Sequence, residues 1–151
     1  MSLQVESILK EKGIDYRLIH LSSKGVSFDD VIKYSKDKLN SEEICKTIIV
    51  HDKKDVKYAF LIKGNKKIDF SKVKEIIGGK ASILSYDDLK KSIGTEPGAV
   101  CPLLLDIPLF VDNHVFETDK INFGSGDSLF GLEIQSNDLK KIISFKLVEV
   151  E

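Results

Sequence analysis

Lys46 is the first residue of this sequence whose placement suggests chemistry. It lies in "SEEICKTIIVH", residues 41–51, inside a run that reads as a buried β-strand from Ile44 to Val50. Alternation places it on the same face as Ile44, Ile48 and Val50. A lysine buried without a partner costs several kcal/mol or loses its proton. Its stem therefore either runs along the sheet to bring the amine to water, or projects that amine into a pocket to hold an anion. Two glycine-bearing loops come next. "GTEPGAVCP" carries Gly94, Pro97, Gly98 and Pro102, and is neither a regular helix nor a central strand. Pro97-Gly98 suits a type II turn with glycine at the position of positive φ. "FGSGDS" carries Gly124 and Gly126. Such loops either aim backbone N–H groups at an oxyanion or phosphate, or simply turn the chain.

Other reactive side chains form no recognisable constellation. His20, His51 and His114 each sit in or beside a strand-like segment without a spaced partner. Cys45 and Cys101 are far apart and flanked by apolar residues, with no CxxC and no Cys/His cluster, so zinc and iron–sulfur sites have little support. Reduced, buried thiols are the expectation. A Cys101/His114 nucleophilic pair lacks any local signature. Asp106, Asp112 and Asp127 are acids whose default is a solvated loop carboxylate. No metal or cofactor is expected.

The elements that position these residues are mixed in type. Val5, Ile8 and Leu9 recur at helical spacing before Gly13, and "DYRLIHL" alternates like a short strand. Ser27 can cap a second helix with Val31, Ile32, Ser35 and Leu39 on its inner face. "CKTIIVH" and "VKYAFLIK" read as paired central strands across the turn "DKKD". Ser71 can cap "KVKEII", which Gly78-Gly79 ends, and "ASIL" is a short strand. Ser85 and Asp88 have capping-box-like spacing over "SYDDLKKS". Strands "LFVDN", "INFG" and "LFGLEI", a capped helix "SNDLKKI" and a last strand "FKLVEV" follow. Strands and helices occur without strict alternation. The fold class is α+β: a single domain over residues 1–151, with a mixed, curled sheet and helices packed around it.

The chain of 151 residues needs neither disulfides nor metals to support a pocket, and its net charge of −1 does not advertise nucleic acid. The distribution says more. Residues 53–91 hold eleven lysines against five carboxylates, whereas residues 95–138 hold one lysine against eight. A lysine-rich segment either binds phosphates locally or merely solvates surface faces. Arg17 is the only arginine, so polyanion contacts would use lysine point charges. "MSLQVESILKEKG" lacks a basic leader, an apolar run and a cleavage site, and no run approaches a membrane span. The expected location is the cytoplasm, with no membrane and no DNA partner.

Taken together and in order, "CKTIIV", "GTEPGAVCP" and "FGSGDSLFGLEIQSNDLKKI" resemble the YbaK/ProX family, whose domain is also inserted in bacterial prolyl-tRNA synthetases as an editing site. The opening helix, "YRLIHL" and second helix fit the same layout, so the resemblance covers nearly the whole chain. It implies a YbaK-like fold and an aminoacyl-tRNA deacylase acting in trans, on cysteinyl-, alanyl- or another small aminoacyl-tRNA, with tRNA-Pro among the acceptors. The mischarged tRNA 3′ end is the implied partner, with a synthetase as a further one. Lys46, Gly98 and Gly124 match catalytic positions. His20, Thr47, Gly94, Pro97, Gly126 and Asp127 fall at substrate-binding positions, and Lys63, Lys66 and Lys67 are assigned to tRNA. In the family mechanism the tRNA's own ribose hydroxyl assists, and Lys46 anchors the 3′-terminal phosphate. Members that remove alanine tend to carry histidine where "INFGSG" has Gly124, which leans away from alanine. Two rival readings stand beside this one: a non-catalytic tRNA- or nucleotide-binding module, and a small-ester hydrolase with a Cys101 nucleophile.

Overall fold

The computed structural model describes residues 3–36 and 38–151. Among these residues, eight strands form two sheets. A three-stranded antiparallel sheet has the order β1 (Tyr16–His20), β7 (Phe130–Gln135), β6 (Lys120–Gly124). A five-stranded mixed sheet has the order β4 (Ala81–Ile83), β2 (Cys45–Asp52), β3 (Lys57–Lys63), β5 (Leu109–Asp112), β8 (Lys146–Val148). β2 pairs antiparallel with β3 and β4, whereas β3–β5 and β5–β8 are parallel. The sheets meet where Ile44, just before β2, forms a parallel bridge with Asn122 of β6. The expected mixed, curled sheet is thus realised as two sheets joined at the head of β2.

That joint creates two apolar layers. Cys45, Ile49, Ala59 and Leu61 face the interior shared with Ile121, Phe123, Leu132 and Ile134 of the smaller sheet. Helix α1 (Gln4–Glu11) adds Val5 and Leu9 to this layer, α4 (Tyr86–Ser92) adds Leu89, and α5 (Leu139–Ile142) adds Leu139. On the opposite face Val50, Phe60, Ile62 and Phe110 pack with Val150 and with Val73 of α3 (Phe70–Ile77). Both faces of β2 and β3 are covered, which is why each reads as a nearly unbroken apolar run. Each fully buried Leu, Ile or Phe contributes about 1.5–3 kcal/mol, so this double layer holds β2 firmly.

Several local expectations shift for local reasons. The α3 cap is Asp69, not Ser71: its carboxylate accepts from the Ser71 N–H and hydroxyl. Gly78 ends that helix with a left-handed φ of 79°. Ser27 does cap α2 (Phe28–Tyr34), yet the helix buries no residue fully and Ile32 is exposed. Its role is to wall a cavity, not to fill a core. Ser136 bonds the carbonyls of Thr118 and Asp119 and caps nothing.

Candidate active site

A cavity of about 150 Å³ opens between α2, the head of β2 and two loops. Ile44, Cys45, Lys46, Thr47 and Ile48 form its floor, Val26, Ser27, Phe28 and Val31 one wall, and Pro97, Gly98, Val100 and Gly124 the other, with Gly64 beyond β3. A void of this size holds a molecule about as large as benzene. Its surface is mainly apolar and Lys46 brings the sole cationic side chain.

Three loops are locked together around it. Gly25 donates its N–H to Ser128 O at 2.9 Å, and Gly126 donates to Ala99 O at 2.8 Å. Lys24 reaches Glu96 at 3.3 Å across the same seam. Glycine is required here for close approach. A Cβ on Gly98 would lie 2.7 Å from the Gly25 carbonyl carbon and 2.8 Å from Val26 Cα. One on Gly124 would lie 2.6 Å from the Ala99 carbonyl carbon. The expected type II turn at Pro97-Gly98 is instead a single 3-10 turn over Pro97–Ala99, and Gly98 has no positive φ. The demand on this glycine comes from the neighbouring backbone and not from its own conformation.

Lys46 sits, as alternation requires, on the Ile48 and Val50 face and opposite Ile62. It is half-buried and makes no ion pair or hydrogen bond with any described residue. Burial pushes its ammonium below the usual lysine value; Glu151 nearby opposes that shift and Lys67 adds to it. A cation held this way favours any anion that reaches it. Thr47, beside it, is 9% exposed and its hydroxyl has no hydrogen-bond partner among the described residues.

Of the residues assigned from sequence, Lys46, Thr47, Pro97, Gly98 and Gly124 share the cavity lining. His20, Gly94, Gly126 and Asp127 stand outside it. His20 is exposed and packs edge-on to Phe130 at 4.8 Å. Gly94 and Gly126 have φ of 85° and 95° and shape the loops. Asp127 accepts from the Leu129 N–H within its own turn. Lys66 and Lys67 are exposed. Lys63 is only 5% exposed, with its ammonium 3.4 Å from Glu42 and 3.9 Å from Glu117, so it presents no free charge to a phosphate. Sequence reasoning missed the wall from residues 26–31 and Gly64. The latter had a signal: a glycine closing the apolar run "AFLIKG", where a Cβ would meet Phe28 at 2.9 Å.

Nucleophilic and metal chemistry are poorly served. Burial pushes the Cys45 and Cys101 thiols up to about 12, leaving roughly one part in 10⁵ as thiolate at neutral pH. Asp112, His114 and Glu151 bring three ligand atoms within 4.8 Å. Both Asp112 oxygens, however, are already taken: Oδ1 by the backbone and ring nitrogens of His114, Oδ2 by the backbone N–H groups of Val150 and Glu151. This is a hydrogen-bonded latch on the chain after β8.

Among the described residues, a small and mainly apolar cavity with Lys46 as the cation in its lining and glycine-bearing loops along one wall has room for a small ligand beside a positive charge. Residues 29–142 match the aminoacyl-tRNA editing domain family, and the chain belongs to it. A proline–tRNA ligase from Chlamydia caviae is 32% identical over 101 residues, spanning 62% of this chain and 18% of that enzyme. The chain thus corresponds to less than a fifth of that relative. Among solved structures, the hypothetical protein APE2540 superposes with a TM-score of 0.86 at 25% identity over 97% of both chains. A candidate trans-editing enzyme for prolyl tRNA synthetase gives 0.81 at 15% identity, over 97% of this chain and 94% of that one, a likeness of fold. Among the described residues no helix is long and apolar enough to cross a membrane.

Proposed function

We propose that this protein is an aminoacyl-tRNA deacylase that acts in trans in the cytoplasm, hydrolysing the ester between a small, wrong amino acid and the tRNA 3′ end. The observation that carries the reading is the cavity of about 150 Å³ with Lys46 at its floor, in a chain of the editing family. The amino-acid side chain occupies the apolar space, and the Lys46 ammonium holds the 3′-terminal phosphate. A water adds to the ester carbonyl, the bond to the ribose oxygen breaks, and that oxygen leaves with a proton as the free hydroxyl. An adjacent ribose hydroxyl of the tRNA assists the proton transfer.

No activated protein nucleophile is needed, because an aminoacyl ester is already reactive and placement supplies much of the acceleration. This suits a cavity whose only thiol is protonated. Its size favours cysteine, alanine or a residue of similar bulk, and the relation to a proline–tRNA ligase makes tRNA-Pro the first acceptor to try. The test is a deacylation screen over cysteinyl-, alanyl- and seryl-tRNA on proline and other acceptors. The reading requires turnover of at least one small aminoacyl ester above spontaneous hydrolysis. Binding of tRNA with no turnover anywhere in the panel would replace it with a non-catalytic tRNA-binding module.

A further inference from the structure

We propose that the free edge of β2 at Thr47 reads the aminoacyl group itself. The Thr47 carbonyl accepts from the α-ammonium of the substrate and the Thr47 N–H donates to its ester carbonyl, as one residue pairs with another in an antiparallel ladder. The inference rests on the deacylase reading and adds to it how the ester is held. Along β2 and β3, opposed residues alternate between pairs that exchange both backbone bonds and pairs that exchange none. The Gly64 N–H donates to Ile44 O at 2.7 Å at one end, and the Asp52 N–H donates to Val56 O at 3.1 Å at the other. In this register the bonded residues of β2 are the even-numbered ones, with Lys46 opposite Ile62 and Ile48 opposite Phe60. Cys45, Thr47 and Ile49 therefore turn their N–H and C=O groups to the far edge.

Most of that edge is occupied. β4 pairs with Val50, His51 and Asp52, and the Leu84 N–H reaches Ile49 O at 3.0 Å. At the head of the strand Ile44 bridges Asn122, and the pairing with β6 ends at that isolated bridge. Thr47 falls between the two. Among the described residues no strand pairs with its far side, and no loop bonds its N–H or carbonyl. It is nine-tenths buried and lines the cavity together with Pro97 and Gly98, and its hydroxyl is unpartnered as well. Buried backbone groups are nearly always paired. A residue whose N–H, carbonyl and hydroxyl all lack a protein partner at a cavity floor marks a place for a polar ligand.

The substrate has the matching groups. An aminoacyl ester carries a donor on its α-nitrogen and an acceptor on its carbonyl, spaced as they are in one residue of a strand. When water adds, negative charge collects on that carbonyl oxygen, and an N–H already aimed at it binds more strongly as the charge grows. Thr47 thus acts through its backbone, one residue along the strand from the lysine that holds the phosphate. Directly opposed residues place their side chains on one face. An L side chain then lies on the Thr47 face, and a D side chain is turned to the Lys46 face or breaks one of the two bonds. The edge therefore selects for a free α-amine and for the L configuration.

The experiment uses stable mimics in which an amide replaces the ester: 3′-amino-3′-deoxyadenosine acylated with L-α-aminobutyrate, with its D enantiomer, or with butyrate, which lacks the amine. The protein carries ¹⁵N-threonine. Thr47, Thr95 and Thr118 are its three threonines, so the Thr47 amide signal is assigned by its loss in Thr47→Val. The L mimic is expected to move the Thr47 amide proton downfield in step with saturation and to slow its exchange with solvent. The D and butyryl mimics should bind on the order of 10- to 100-fold more weakly, the worth of a hydrogen bond to a charged group. Thr47→Val keeps the backbone, so its preference among the three mimics should match that of the unaltered protein. A Thr47 amide unmoved at saturation, equal binding of the three mimics, a preference that vanishes in Thr47→Val, or no binding of the L mimic overturns the proposal. Ester hydrolysis by a protein whose Thr47 amide stays silent would keep the deacylase and remove the edge pairing. A shifted amide in a protein that hydrolyses no aminoacyl-tRNA would sustain the pairing and refute the deacylase reading instead.

Discussion

Replacing Gly98 by alanine tests whether the cavity depends on two backbones in contact. The added Cβ would lie 2.7 Å from the Gly25 carbonyl carbon, closer still to its oxygen, and 2.8 Å from Val26 Cα. Because the carbonyl oxygen is nearer than either, reaching 3.4 Å, where ordinary contact begins, requires the loops to part by about 1 Å or more. The obstacle is backbone, so no side chain can swing away. Overpacking of this kind costs about 1–3 kcal/mol, or roughly 3–10 °C in melting temperature for a domain of this size. A displacement of about 1 Å at the cavity wall should lower kcat/KM on the order of 10- to 100-fold. Thermal melting and single-turnover deacylation on the same preparation give both quantities. The sign is diagnostic. Gly98 has no positive φ, so alanine without a clash would stabilise by about 0.4–1 kcal/mol through the unfolded chain. A variant that melts higher and deacylates normally would refute the close approach.

Lys46→Ala should reduce deacylation on the order of 10²- to 10³-fold while the melting temperature holds or rises, since a strained cation leaves an otherwise apolar face; wild-type turnover would remove Lys46 as the anchor. Reversing Lys66 and Lys67 to Glu together should weaken tRNA binding and flatten its salt dependence without unfolding the protein, as both are exposed; a filter-binding series in salt reads this directly, and unchanged binding sinks the assignment. The Asp112–His114 latch predicts a stability optimum in pH. Its hydrogen bond to Asp112 holds His114 above its usual 6.5, so this contribution is complete below that value and is lost as pH rises through the higher folded midpoint. Burial raises the Asp112 carboxyl, but backbone donors from Val150 and His114 outweigh it and hold it below 3.8; its contribution is present above 3.8 and lost as pH falls through the lower folded midpoint. Melting curves across pH should show His114→Gln abolishing the alkaline decline specifically.

What the sequence revealed and what it hid divide along locality. β2 was legible because alternation is local: "CKTIIV" puts a cation in register with Ile48 and Val50 whatever the rest of the chain does. The helix beginning at Ser27 was legible from its cap and its first-turn acids. Gly98 was visible as a glycine but not for its reason, because the atoms that forbid a side chain belong to Gly25 and Val26, more than seventy positions away. Lys63 counts as one more positive charge in a basic segment, until β3 turns it inward against Glu42 and Glu117. Ile32 fits a helical apolar stripe, yet it is exposed because α2 presents Val31 to the cavity. Periodicity reports which residues share a face. It does not report what that face meets.

Thr47 supplies the remaining test, because its hydroxyl is a cost the fold does not recover. It is 9% exposed and bonds nothing among the described residues, at the floor of a mainly apolar cavity. An unsatisfied buried hydroxyl costs about 1–3 kcal/mol, and valine has the same shape without it. Thr47→Val should therefore melt at an equal or higher temperature. If the hydroxyl instead meets the bound substrate, the same change should lower kcat/KM by about 10-fold, the worth of one hydrogen bond. An apolar pocket alone discriminates between side chains differing by one methylene only about 10- to 200-fold, so a polar contact here adds selectivity that size cannot. The loss should be larger for the ester whose side chain reaches Thr47, seen by comparing cysteinyl-, seryl- and alanyl-tRNA. A gain in stability with rates unchanged on all three would mean that the hydroxyl meets no substrate. A drop in stability would mean that it has a partner in the free protein, and the reasoning from its isolation would fail.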